Sequence, residues 1–264
     1  MPMAWAKIGA VDLCYEMGGR PGGPRVLFIS GTGGDLRARP GPFDTRLASS
    51  TELLAYDQRG MGRTSTPPGP YTMADYADDA AGLLDFVGWA DASVVGVSFG
   101  GMVAQELVLR HPAKVKRLVL ACTSSGGEGG SSYPLHELAD LSPEDRAVKI
   151  LELADTRVDA EGRAAHAIAL EIDPAWAEEP GRQAGAQLQL EARRGHDTWD
   201  RLGKVQCPTL VCGGLFDGIS PVENVENLAS AIPGSRLHFF KGGHHFLMQD
   251  PEAYPLILEF LLQD

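Results

Sequence analysis

Six short runs of almost unbroken apolar residues recur along the chain: RVLFIS (25–30), ELLAYD (52–57), SVVGVS (93–98), KRLVLAC (116–122), TLVCGG (209–214) and RLHFFK (236–241). Runs this short, with little polar alternation, predict strands covered on both faces, as in a parallel sheet. Between them the apolar period lengthens to that of a helix. In 73–87 the residues Met73, Tyr76, Ala77, Ala80, Leu83, Leu84 and Val87 fall on one helical face. Residues 99–110, 221–231 and 252–262 repeat the pattern less regularly. Strands alternating with helices predict right-handed crossovers and helices on both faces of a mostly parallel central sheet, an α/β fold. Residues 4–17 read as an antiparallel hairpin added at one edge.

The rhythm breaks after Cys122. From Thr123 to Gly203 no strand is predicted; a stretch rich in Gly and Ser, SSGGEGGSS (124–132), leads into sequence rich in Ala, Leu and Glu. Helices are expected there at 143–155 and about 182–194. An insertion between two strands of an open sheet emerges at the end where ligands bind. The expected organisation is therefore a core of residues 1–122 and 204–264 carrying a helical cap of residues 123–203.

Composition agrees with one such domain. The chain has 264 residues, 44% apolar and 22% charged, enough to bury a core without metals or disulfides. Its 32 Gly and 18 Pro lie in short clusters that mark turns rather than repeats. The net charge of −12 opposes binding to phosphates, so neither nucleic acid nor a membrane surface is an expected partner. Cys14, Cys122, Cys207 and Cys212 form no CxxC pair and no zinc spacing with histidine, and they read as reduced thiols. The N-terminus lacks a basic segment and a long apolar core, and no stretch is apolar enough for a membrane helix. The expectation is a soluble, cytoplasmic protein acting on a small molecule with no metal or organic cofactor. Nothing in the pattern announces an oligomeric state.

The candidate chemistry begins at Gly96-Val97-Ser98-Phe99-Gly100-Gly101. It has the G-x-S-x-G spacing, follows a predicted strand and opens a predicted helix, the context of a nucleophile elbow. Gly96 and Gly100 would let neighbouring backbone pass the strained serine without a Cβ. A serine hydroxyl needs a positioned base, and Gly242-Gly243-His244-His245 follows the last strand. The base in turn needs an orienting acid. Asp217 stands after the strand ending at Gly214, and a helix start at Ser220-Pro221 leaves it free. An oxyanion would find one donor in the Phe99 N–H and a second in the glycine loop Ser30-Gly31-Thr32-Gly33-Gly34, which lacks the spacing of a phosphate loop.

These residues together resemble the α/β-hydrolase superfamily, in its small capped branch with enol-lactonases, esterases, cofactor-free haloperoxidases and proline iminopeptidases. The resemblance rests on the loop at 30–34, on Asp57-Gln58-Arg59-Gly60-Met61-Gly62-Arg63-Thr64-Ser65, on the elbow, on Asp217 and on GGHHFLMQDP (242–251). It implies a triad in the order Ser98, Asp217, His244, with His244 chosen over His245 by its distance from Pro251. It implies Thr32 N–H as the second oxyanion donor, and a loop held by Asp57 and Arg59 without a catalytic part. The chain departs from the pattern at Ser30-Gly31, where relatives often carry His-Gly. After the strand ending at Cys122 there is no carboxylate, which leaves the acid to Asp217.

The resemblance implies hydrolysis of a small carboxylic ester or lactone through an acyl-enzyme. The same triad elsewhere cleaves C–C bonds, peptides or thioesters, and a receptor could keep it without turnover. An aminopeptidase would need an acidic anchor such as Glu178 or Glu179. Tyr133, His136, Trp176 and Trp199 are candidates to line a pocket, and Arg193 or Arg194 could reverse the preference against anionic substrates.

Overall fold

In the computed structural model, which describes residues 3–157, 176 and 178–263, eight strands form one sheet. They are β1 (Ala4–Ile8), β2 (Val11–Gly19), β3 (Arg25–Ile29), β4 (Glu52–Tyr56), β5 (Ala92–Val97), β6 (Val115–Ala121), β7 (Thr209–Gly214) and β8 (Arg236–Phe240). Their order is β1-β2-β4-β3-β5-β6-β7-β8. β3 to β8 run parallel, whereas β2 is antiparallel to both β1 and β4. The hairpin expected at 4–17 is thus the β1–β2 edge.

Helices α1 (Arg46–Ser50), α2 (Met73–Phe86), α3 (Phe99–Arg110), α4 (Pro143–Ala154), α5 (Arg182–Arg194), α6 (Val222–Ala231), α7 (Phe246–Gln249) and α8 (Ala253–Leu261) follow the strands. Because side chains alternate along a strand, each central strand feeds two separate cores. Leu27, Ile29, Leu118 and Leu120 join Leu83 and Leu84 of α2, Val103 and Leu107 of α3 and Leu228 of α6 on one face. Val26, Phe28, Val119 and Ala121 join Leu47 of α1, Phe246 of α7 and Ile257 and Phe260 of α8 on the other. Local chemistry starts the helices where the pattern predicts them. The hydroxyl of Thr72 accepts the Asp75 N–H while the Asp75 carboxylate accepts the Thr72 N–H, a capping box at the head of α2. Ser142 caps α4, with Pro143 in its first turn.

The expectation of burial on both faces fails for one run. In β8 the residues Arg236, Leu237 and His238 are exposed, because β8 is the edge strand of the sheet and pairs only with β7. The helix expected over 252–262 is Ala253–Leu261, with the separate short turn α7 before it. Helix α1 and the 3-10 turns, such as Pro42–Asp44, carry too few residues to reveal a period. No strand lies between Ala121 and Thr209 among the described residues, and α4 and α5 occupy the helical stretches expected there. The part of the expected cap at 158–175 lies outside the described residues. No helix among the described residues is long and apolar enough to cross a membrane.

Candidate active site

The parallel strands end together on one side, and the candidate residues lie in the turns that leave them. β5 ends at Val97 and α3 begins at Phe99, so Ser98 alone turns the chain. It does so at φ 55° and ψ −117°, a conformation that costs a non-glycine residue on the order of 1–3 kcal/mol. Its neighbours leave no alternative to glycine. A Cβ at Gly96 would stand 2.4 Å from the Gly100 carbonyl oxygen, and one at Gly100 would stand 2.0 Å from that of Ile29. The Ser98 N–H donates to the Ala121 carbonyl at 2.8 Å, which ties the turn to the end of β6.

Ser98 Oγ lies 2.9 Å from His244 Nε2, and His244 Nδ1 lies 2.7 Å from Asp217 Oδ2. A carboxylate only accepts, so Nδ1 carries the proton and Nε2 presents its lone pair to the serine hydroxyl. The second carboxylate oxygen of Asp217 accepts the N–H groups of Ile219 at 2.8 Å and Ser220 at 2.9 Å. Those bonds fix the carboxylate before α6 begins and leave its other oxygen to the imidazole. His244 is held in turn by its own N–H, which donates to the Ala154 carbonyl at 2.6 Å. His245 packs edge-on to His244 at 5.9 Å between ring centroids and takes no part in the hydrogen-bonded chain.

The glycine loop passes directly beside the serine, since a Cβ at Gly31 would stand 3.4 Å from that of Ser98. Thr32 follows in this loop, and Phe99 is the first residue of α3, where the N–H has no intrahelical acceptor. The positive end of the α3 dipole also points at this spot. Two glutamines that sequence reasoning missed hold the loop. Gln58 donates from Nε2 to the Ser30 carbonyl at 2.7 Å, and Gln189 of α5 accepts the Gly33 N–H at 2.8 Å. Gln58 sits inside the quoted 57–65 motif, whereas Gln189 is 156 residues from its partner and leaves no local signal.

A charged clasp joins the same loop to the region of α5. Arg37 reaches Glu179 with bonds of 2.6 and 2.8 Å and also binds Asp35, while Arg182 reaches Asp35 at 3.2 Å. Burial opposes the charge of Asp35, yet the hydrogen bonds from Arg37 hold its carboxyl below the ordinary range. Glu179 is thus engaged, not free to anchor a substrate amine. The Arg37 guanidinium carbon sits over the Trp176 ring at 4.3 Å from its centroid, and Trp199 packs against the core. Asp57 accepts the Leu36 N–H at 2.7 Å and the Arg63 N–H at 3.0 Å, and Arg59 pairs with Asp79 of α2 through two bonds of 2.7 and 2.8 Å.

Cys122, Asp217 and His244 bring potential ligand atoms within 4.8 Å of one another. Burial pushes the Cys122 thiol well above its ordinary range, and both His244 nitrogens already have partners. A cavity of about 210 Å³ opens beside His244, lined by Gly31, Phe28, Val97, His245, Met248 and Tyr254 among others.

A model of the alpha/beta hydrolase fold family matches residues 24–251, and the chain belongs to that family. It is 33% identical over 257 residues to a poly(3-hydroxyalkanoate) depolymerase from Ectopseudomonas oleovorans, covering 93% of this chain and 88% of the relative. A 3-oxoadipate enol-lactonase 2 from Acinetobacter baylyi is 25% identical, covering 96% and 94% of the two chains. Among solved structures, the enol-lactonase from Burkholderia xenovorans LB400 superposes with a TM-score of 0.82 at 22% identity, over 98% of this chain and all of the other.

Proposed function

We propose that this hydrolase cleaves a small-molecule carboxylic ester or lactone with Ser98, His244 and Asp217 as its catalytic triad. The observation that carries the reading is the unbroken chain of hydrogen bonds, 2.9 Å from serine to imidazole and 2.7 Å from imidazole to carboxylate. His244 Nε2 takes the Ser98 proton as Oγ attacks the carbonyl carbon. The oxyanion is received by the N–H groups of Thr32 and Phe99. The alcohol leaves with the proton held by His244, and a water molecule, deprotonated by the same nitrogen, releases the acid from Ser98. Asp217 keeps the imidazole in the required tautomer and stabilises its cation.

Residues 123–203 act in this reading as a cap over the site. The bonds from Gln189 to Gly33 and from Glu179 to Arg37 support that role, since they couple the inserted region to the oxyanion loop. Two relatives named as a depolymerase and an enol-lactonase support an ester or lactone carbonyl as the target. The pairing of Glu179 with Arg37 weighs against an aminopeptidase.

The test is time-resolved release of p-nitrophenol from acetate through octanoate esters, with wild type beside Ser98→Ala. Wild type should turn over, with a chain-length optimum that sizes the pocket, and the variant should lose on the order of 10⁶-fold in kcat. Equal turnover by both proteins would remove Ser98 from the mechanism. Silence from both, with folding verified, would shift the reading to C–C, thioester or peptide substrates, or to binding without turnover.

A further inference from the structure

A second cavity, of about 220 Å³, lies between segment 126–136 and the C-terminal end of α5. Its wall includes Met102, Ser132, His136, Arg193, Arg194 and His196, and none of its nine lining residues is acidic. This is a basic cavity in a chain of net charge −12.

Arg193 is the centre of it. The residue is only 6% exposed. A guanidinium has five N–H donors, and here Nη1 donates to the Tyr133 carbonyl at 2.8 Å and Nη2 to Ser132 Oγ at 2.7 Å. Both acceptors are uncharged, and Nε is buried without a partner. Arg59 and Arg37 are answered differently, by carboxylates: Arg59 by Asp79, and Arg37 by Asp35 and Glu179. Burial, unrelieved by any carboxylate, pulls the Arg193 guanidinium down to about 10, so it is still a cation at neutral pH. The dipole of α5 offsets part of that charge, because Arg193 stands in its last turn. A buried charge is otherwise paired.

His196 completes the chemistry. Its Nε2 lies 3.2 Å from the Ser124 carbonyl and donates to it, which leaves the Nδ1 lone pair buried without a partner. Burial lowers its imidazole to about 4, so it adds an acceptor and no charge.

We propose that this cavity binds a carboxylate anion, with Arg193 as its cationic anchor. Arg193 is the buried cation of the wall while Arg194 is exposed to solvent, so a monoanion is what balances the enclosed charge. The volume equals several waters at about 30 Å³ each, room for a carboxylate on a short chain. The site is not isolated from the triad. Tyr133, whose carbonyl accepts from Arg193, donates its own N–H to the Ile219 carbonyl at 2.8 Å, and the Ile219 N–H holds Asp217 at 2.8 Å. The carboxylate is either an arm of the substrate or a free acid that settles beside the acid loop.

Calorimetric titration of the full chain with butyrate tests the proposal, with butyramide as the uncharged control. Butyrate should bind saturably and butyramide should not. Arg193→Gln should weaken butyrate binding about ten- to a hundredfold, the loss of one hydrogen bond to a charged group. Arg193→Lys keeps the charge and should retain most of the affinity, and Arg193→Met serves as the uncharged comparison if Arg193→Gln does not fold. Binding must also survive Ser98→Ala, so the calorimetry stands whether or not the hydrolase reading does. In a second arm, butyrate is added to p-nitrophenyl acetate turnover. Competitive inhibition that disappears in Arg193→Gln identifies a substrate arm, and binding that leaves KM unchanged identifies a free carboxylate. No binding of butyrate to wild type, butyramide binding as tightly as butyrate, or wild-type affinity in Arg193→Gln each overturns the proposal.

Discussion

Asp217 illustrates how much of a site is decided around one side chain. One of its oxygens is consumed by two backbone N–H groups and the other meets the His244 Nδ1 proton. Asp217→Asn should keep the shape of the loop while offering an amide that no longer enforces the imidazole tautomer. We expect kcat to fall by about 10⁴-fold with little change in melting temperature, measured by ester hydrolysis beside a thermal melt. A fall in melting temperature matching the loss of activity would instead make Asp217 a structural residue. The residues of this chain of bonds could be found in the sequence because each sits in a short motif that the turn geometry requires. Ser98 is flanked by two glycines whose Cβ atoms would strike backbone oxygens, and His244 follows two glycines after a strand. Gln58 lies inside the 57–65 motif but nothing there marks its bond to Ser30, and Gln189 left no local trace at all.

At the scale of elements, the loop at 30–34 depends on a helix from the inserted region. Gln189 of α5 holds the Gly33 N–H at 2.8 Å, and Glu179 holds Arg37 through two bonds. Gln189→Leu removes the acceptor at similar volume and frees the loop. The expected result is a loss of about tenfold in kcat, the value of one hydrogen bond, with KM for a short ester nearly unchanged. Steady-state kinetics on acetate and octanoate esters would separate this from a pocket effect, which would alter the chain-length preference instead. Long α-helices and buried strands were legible as elements because their periods repeat over enough residues. Helix α1 was not, at five residues, and the exposure of β8 was not, because an edge position follows from strand order and not from the apolar content of the strand.

Across the whole molecule, protons link buried histidine to stability. His196 has its imidazole lowered to about 4 by burial, against about 6.5 in an unfolded chain. Between these values the unfolded state binds more protons than the folded one, so stability rises with pH from 4 to 6.5 and is lost as pH falls through that window. The contribution of His196 is about 3 kcal/mol at most. Urea unfolding at pH 4.5 and pH 7 should therefore show a clear loss at the lower pH, and His196→Gln should reduce that difference even if it lowers stability at pH 7. An unchanged difference in the variant would place the acid sensitivity elsewhere.

The amino-acid sequence by itself determined the alternation of strands and helices, the inserted helical stretch and the residues of the hydrogen-bonded chain, because each of these is written in a local period or a turn of a few residues. The tertiary structure alone decided that β8 lies at the second edge, which glutamine holds the loop at 30–34, that Glu179 faces Arg37, and that Arg193 is enclosed without a carboxylate. Those facts depend on pairs up to 156 residues apart. Their distance and burial are properties of the packed sheet and of the helices that follow its strands, and no pattern along the chain encodes them.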